Sequence, residues 1–427
     1  MTGQSPSAPS APPALAWPKW LNRTVLGIGL ASLFSDWSHE TATTVLPAFL
    51  ATMGAAAGWL GLIEGAADGL SSFAKMASGF YTDRLPRRKP IAVLGYLITA
   101  LGTASFGLAS APWQVLIARA GAWFGRGVRT PVRKALLASS VTKATYGRAF
   151  GFERMMDTLG AIVGPASAFF LLQLLHHNYP ALFLLTLVPG LIAAGLIAFL
   201  VREQHRAPVP HIDFGQSLRA LPSRFRRFLL GVGLFGAGDF AHTMLILLAA
   251  QTLRPTLGPA RAASIATGLY LLHNGFYATF SMVTGWWADR WDKGTLLAGG
   301  YLLGAVMALA VILLPLNLAT LPIIFVVGGI YVAMEETLED SFCAELVEET
   351  QHGVAFGTLA TVNGVGDFIS SLVVGLLWTA AGTTVAFGYS AVLFVLGSAL
   401  VWRTARDAPL PPQGAHAPGR PKPSRPA

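Results

Sequence analysis

The stretch GFYTDRLPRR, Gly79 to Arg88, returns as GWWADRWDK, Gly285 to Lys293, 206 residues further on. The match continues outward from that pair. Gly147-Arg-Ala149-Phe150-Gly151 lies over Gly353-Val-Ala355-Phe356-Gly357 at the same offset, and Asp68-Gly69 lies over Asn274-Gly275. Nearer the start the offset is 203, with Asp36-Trp-Ser-His39 over Asp239-Phe-Ala-His242, as an indel after the first helix of a half would give. Several matches in order at nearly one spacing predict a duplicated chain, and parallel six-span repeats are a design that membrane transporters use.

The composition says where those copies sit. Of 427 residues, 53% are hydrophobic and 12% charged, against about 25% charged in a soluble domain. Lipid leaves helices or a closed barrel as the only ways to satisfy the backbone. The apolar runs are too long for barrel strands, so an all-α membrane protein is expected. Each span needs about 20 residues. Twelve fit, near 24–50, 58–80, 90–110, 113–139, 148–175, 179–201, 228–252, 262–287, 295–315, 320–345, 354–379 and 383–403. They make two pseudo-symmetric six-helix bundles, 21–201 and 228–404. A polar connector, 202–227, holds HRAPVPH and PSRFRR. The tails, 1–20 and 405–427, read as disordered. The first lacks the basic and apolar regions of a signal peptide.

The bases set orientation. With both termini cytoplasmic, the inner loops and tails hold nearly all loop Lys and Arg, and the outer loops hold only Arg254 and Arg261. That asymmetry supports an even span count in a cell inner membrane. It also accounts for the net charge of +9 without nucleic acid. Cys343 is the single cysteine, so no internal disulfide forms. No nucleophile elbow, HExxH or phosphate loop is present, which argues against an enzyme and against ATP-driven transport.

At the repeated motifs the chain resembles the major facilitator superfamily, from about Thr24 to Arg403. Gly79, Asp83, Arg84, Arg87 and Arg88 resemble its signature between the second and third helices, with Pro86 at the usual glycine. Gly285, Asp289 and Arg290 resemble the weaker second copy. The resemblance implies the major facilitator fold, alternating access, and Asp83 with its bases holding the halves together on the cytoplasmic side. Gly151, Gly160, Gly164 and Pro165 follow G-x8-G-x3-G-P. That is similar to the fifth-helix pattern of proton-coupled exporters, departing from it at Ala168 and Phe169. The resemblance implies a monomer exchanging a drug or metabolite for protons. The alternative is proton-coupled uptake or exchange of an organic anion. Tight helix packing is the structural alternative for the glycines.

Charge inside a bilayer marks a pathway, a relay or an ion pair. Seven intramembrane bases fall in the first half: Lys75, Arg119, Arg126, Arg129, Arg133, Lys134 and Arg154. The second half is expected to hold acids there and no buried base: Asp239, Glu335, Glu336, Glu339, Asp340 and Asp367. The repeat lays Arg129 over Glu335, Arg133 over Glu339 and Lys134 over Asp340. A cytoplasmic gate of Arg126, Arg129, Arg133 and Lys134 against Glu335, Glu336, Glu339 and Asp340 is therefore expected. An anion site on the arginines and pairing within each half are the alternatives. Asp36, His39 and Glu40 share a face of the first span, and Asp239 and His242 repeat it in the seventh. Carboxylates one turn apart cannot both ionise cheaply, so these are candidates for proton handling. Glu64 and Asp68 join them, with an Asp68–Lys75 ion pair as the structural alternative. Arg154 and Asp157 are expected to pair. Zinc would suit His39, His242 and the acids by ligand type alone, and no cofactor is expected. Small molecules, protons and the lipid bilayer are the expected partners.

Overall fold

The computed structural model describes residues 18–55, 57–203, 214–240 and 243–407. His242, residues 204–213 of the connector and most of both expected tails lie outside the described residues. The described chain is helical throughout. Twelve spans follow in order: α1 Arg23–Thr52, α2 Ala57–Thr82, α3 Lys89–Ala104, α4 Pro112–Ser139, α5 Tyr146–Leu174, and α6 as Tyr179–Leu185 with Leu187–Leu200. After a short connector helix, Phe214–Arg219, come α7 as Ser223–Gly236 with Thr243–Leu257, then α8 Pro259–Ala288 and α9 Lys293–Leu313. The chain closes with α10 Thr320–Leu346, α11 His352–Ala381 and α12 Thr383–Arg406.

Local chemistry sets the helix ends. The Asn22 side chain accepts from the N–H groups of Thr24 and Val25 and caps α1. Asp292 does the same for α9 at Thr295. Proline stands in the first turn of α3, α4 and α8, where its missing donor costs nothing. Gly258 and Gly382 turn the chain into α8 and α12 with φ of 77° and 87°, a region other L-residues enter at a cost.

Two differences from the expected spans have physical causes. The second bundle begins at Ser223, so Arg224, Arg226 and Arg227 belong to α7 and not to the connector. Arg224 donates to the carbonyls of Thr404 and Ala405, which closes the end of α12. The seventh span is also not continuous. Residues 237–240 leave the helix after Gly236-Ala-Gly238, a weak helical sequence. The freed carbonyls are met by side chains, as lipid requires: Tyr389 donates to Ala237 at 3.0 Å, and Ser370 donates to Asp239.

Seven described segments are long and apolar enough to cross a membrane on length and composition alone: α3, α5, α6 and α9 to α12. The spans that fall short are α1, α2, α4, α7 and α8. α1, α2 and α4 carry charged side chains along their length, and α7 carries the break at Asp239, which lowers their apolar character. Large apolar side chains such as Leu174, Phe199, Leu313 and Phe368 point outward, as a lipid-facing surface requires.

The two halves meet along a pseudo-two-fold axis. α2 packs on α11 and, symmetrically, α5 packs on α8. Glycines permit the approach: a Cβ on Gly79 would collide with the Gly353 carbonyl, and one on Gly147 with that of Gly285. Repeat-equivalent residues face each other at the axis. Phe150 lies 5.7 Å from Phe356, ring to ring, and Tyr146 lies 6.3 Å from His352.

Candidate transport pathway

Both signature acids cap a helix of the opposite half. Asp83, at the end of α2, accepts from the N–H groups of Gly353 and Val354 at 2.8 Å each, opening α11. Asp289, at the end of α8, accepts from Gly147 at 2.8 Å and Arg148 at 3.2 Å, opening α5. A carboxylate at a helix N-terminus meets free donors and the positive end of the dipole. Each acid also holds a base. Arg88 reaches Asp83 at 3.0 Å and Arg148 reaches Asp289 at 2.5 Å. The other signature bases do different work. Arg84 lies 3.7 Å over the Phe80 ring and Arg290 lies 3.3 Å over Trp286, while Arg87 faces a separate cleft.

Deeper along the same seam, Lys134 of α4 meets Asp340 of α10 at 2.5 Å. These are the equivalent positions of the repeat, and they lie across the axis. Arg154 of α5 crosses the seam beside them, 2.6 Å from Glu336 and 3.8 Å from Asp340. It also keeps the expected contact with Asp157 at 3.1 Å. The Tyr277 hydroxyl donates to Glu336 at 2.5 Å. All of these contacts sit toward the end of the bundle that holds the connector, and there they draw the halves together.

The rest of the expected gate is corrected. Arg133 does not reach Glu339. It turns back to Glu153 at 2.9 Å and Asp157 at 3.6 Å in its own half. Glu339 instead accepts from Tyr301 at 2.5 Å and Asn363 at 2.6 Å. Arg129 does not reach Glu335. It is 2% exposed, lies 4.0 Å over the Tyr96 ring, and its Nε and Nη1 have no partner. Arg126 pairs locally with Asp36 at 3.5 Å. The reason is rotational: adjacent helical residues point about 100° apart. Only Lys134 faces the axis where equivalents meet, and Arg133 faces its own bundle.

Within the first half, Arg119 grips both oxygens of Glu64 at 3.0 and 2.8 Å and stacks 3.5 Å from the Trp123 ring. Asp68 accepts from the Trp123 indole at 2.8 Å and makes no ion pair with Lys75, which corrects that alternative. His39 sits edge-on to Trp123 at 4.3 Å, with Nε2 3.4 Å from Glu40. In the second half, Lys293 is buried and pairs with Glu345 at 2.7 Å, so the acids there are not wholly without a buried base.

Glu153 was not among the expected residues. It is 1% exposed and accepts from Ser32 at 2.7 Å, which in turn receives Arg133 at 2.6 Å. The signal was present, because Glu153 stands four residues before Asp157 and shares its face. The fifth-helix glycines divide by role. Gly160 and Gly164 let α1 close on α5 near Leu33 and Glu40, and Gly151 meets Ser281 and Gly285 at the seam. Pro165 is accommodated inside α5.

A cavity of about 430 Å³ opens beside the seam. Asp239, Glu335, Glu336, Glu339, Asp340 and Asp367 supply its carboxylates, Lys134 and Arg154 its bases. Tyr331 donates to Asp239 at 2.9 Å, which holds the acid at the break in α7. Tyr270 and Phe240 add aromatic surface. For the cross-seam pair, a double-mutant cycle of Lys134→Ala and Asp340→Ala is expected to show a coupling of about 1–3 kcal/mol. Additive losses in melting temperature would remove the pair from the account.

A doubled helical bundle whose halves close over a charged cavity is the build of a membrane transporter. The chain belongs to the Major Facilitator Superfamily, whose family model matches residues 28–254 and again 228–426. It is similar to the uncharacterized MFS-type transporter MJ1317 of Methanocaldococcus jannaschii, 27% identical over 89% of this chain and 94% of that one. Multidrug resistance protein MdtH of Photorhabdus laumondii is 34% identical over 27% of this chain and 30% of its own. Among solved structures, the human organic anion transporter MFSD10 superposes with a TM-score of 0.72 at 18% identity, covering 89% of this chain and 99% of that one.

Proposed function

We propose that the chain exports small amphipathic cations in exchange for protons by rocking its two bundles, in a cell inner membrane with both termini cytoplasmic. The cavity's charge carries this reading. Its two bases are already paired across the seam. Asp239, Glu335, Glu339 and Asp367 line the same cavity and make no ion pair with the described residues. Carboxylates left over in a low-dielectric site attract protons or a cationic group and repel anions. The partial likeness to a multidrug resistance protein agrees with this. On the orientation set by the loop bases, the seam contacts close the cytoplasmic side, so the cavity would face outward in this state.

The second reading, transport of an organic anion, is favoured by Arg129, whose buried guanidinium makes no ion pair with the described residues and leaves Nε and Nη1 without a hydrogen-bond partner. One experiment separates them. Proteoliposomes with an acidic interior and a pH-sensitive dye should turn alkaline when a lipophilic cation is added. Asp239→Asn with Asp367→Asn should slow that response at least about tenfold, the lower end of a general acid–base contribution being larger still. An anion-dependent response that Arg129→Ala abolishes would replace the proposal by the second reading.

A further inference from the structure

A second cleft, about 580 Å³, lies at the connector end of the first bundle, away from the cavity. Three helix ends converge on it: the starts of α1 and α3 and the end of α6. Arg23, Arg87, Lys89 and Arg202 surround it, with Glu203 as the acid in its lining. That acid is spent on the chain itself, since its oxygens accept from the backbone N–H groups of Arg88 at 2.5 Å and Lys89 at 3.0 Å. Two bases are anchored on α6 carbonyls, Arg23 on Phe199 at 3.2 Å and Lys89 on Val201 at 2.9 Å. The Arg87 and Arg202 side chains are exposed and make no hydrogen bond or ion pair with the described residues. On the membrane side of this ring the Phe199 side chain is 78% exposed.

Basic groups at the level where spans end, above an exposed apolar surface, match a molecule with an anionic head and a hydrocarbon tail. We propose that this cleft binds an anionic phospholipid, its phosphate between Arg87 and Arg202 and an acyl chain along Phe199. A free phosphate would need the same bases but would make no use of Phe199. The topology rule explains why bases gather at this end. It does not explain why four of them converge on one cleft while its carboxylate is withdrawn to cap α3.

The test uses the purified full chain in detergent and native mass spectrometry. Phosphatidylglycerol and phosphatidylcholine of matched chains serve as probes, with inorganic phosphate as competitor. Phosphatidylglycerol should be retained in preference. Arg87→Gln with Arg202→Gln should weaken it about thirtyfold, each base near an anionic surface contributing roughly a fivefold factor. Arg87→Lys with Arg202→Lys should keep most of the affinity. Equal retention of the two lipids by the wild-type chain overturns the proposal. Displacement of phosphatidylglycerol by inorganic phosphate at millimolar concentration also overturns it, in favour of a soluble anion. Both of these arms use the wild-type chain, so a variant that fails to fold leaves the question decidable.

Discussion

Glu153→Ala is expected to lower the stability of the purified protein by about 3–5 kcal/mol, the range for stranding one partner of a buried ion pair. The substitution leaves the Arg133 guanidinium inside the first bundle. Its next carboxylate, Asp157, is 3.6 Å away and already engaged by Arg154. Ser32 loses its acceptor as well. Glu153→Gln should fall between, keeping the Ser32 bond and losing the charge. Removing both charges, with Arg133→Met and Glu153→Leu, should cost less than either single loss, because no ion is then left dry. Thermal unfolding in detergent reads all of these variants. A loss under about 1 kcal/mol for Glu153→Ala, the level of an exposed pair, would mean that water reaches this site and that the network is not structural.

Gly147→Leu is the second large effect. The added Cβ would fall on the Gly285 carbonyl, 2.7 Å from the Ala288 Cβ and 2.8 Å from Asp289 Oδ1. None of these is the loose end of a flexible chain, so the seam must part or the helices must shift. Overpacking of this kind costs about 3 kcal/mol, enough to shift a balanced two-state equilibrium more than about a hundredfold. The closed connector end should become the minor state, and transport should fail with the protein still folded. A cysteine at Ser371 in the cavity, in a Cys343→Ser background, should then label faster with an impermeant maleimide applied from the connector side. Gly121→Leu, where nothing lies within 4 Å of an added Cβ, is the control. Unchanged labelling in Gly147→Leu would show that the seam does not depend on backbone approach.

Much of the fold was legible because duplication leaves ordered matches and lipid imposes span length. The site was only partly legible. Gly285 and Asp289 could be aligned on Gly79 and Asp83 by eye, but the helix starts they cap belong to other spans. Lys134, Arg133 and Arg129 were equal candidates for the seam. Which one faces the axis depends on the rotation of α4, and neighbouring residues differ by a quarter turn or more. Arg154 pairs with Asp157 as their spacing predicts, yet its shorter contact is to Glu336 across the seam. Glu153 stands beside a more conspicuous base, Arg154, which masks its signal in the sequence. The break in α7 had its cue in Gly236-Ala-Gly238, which an apolar window hides. The partnership of Arg119 with Glu64 joins different spans, and no spacing along one chain encodes it.

The meeting of Lys134 with Asp340 bears on ancestry. A residue on a two-fold axis faces its own copy, so a dimer of identical subunits would set like against like at this point, amine to amine or acid to acid. An attractive clasp there is open only to a tandem fusion whose two members are free to drift apart in sequence. The single polypeptide thus gains a lock on its centre line that its symmetric forebear could not have built.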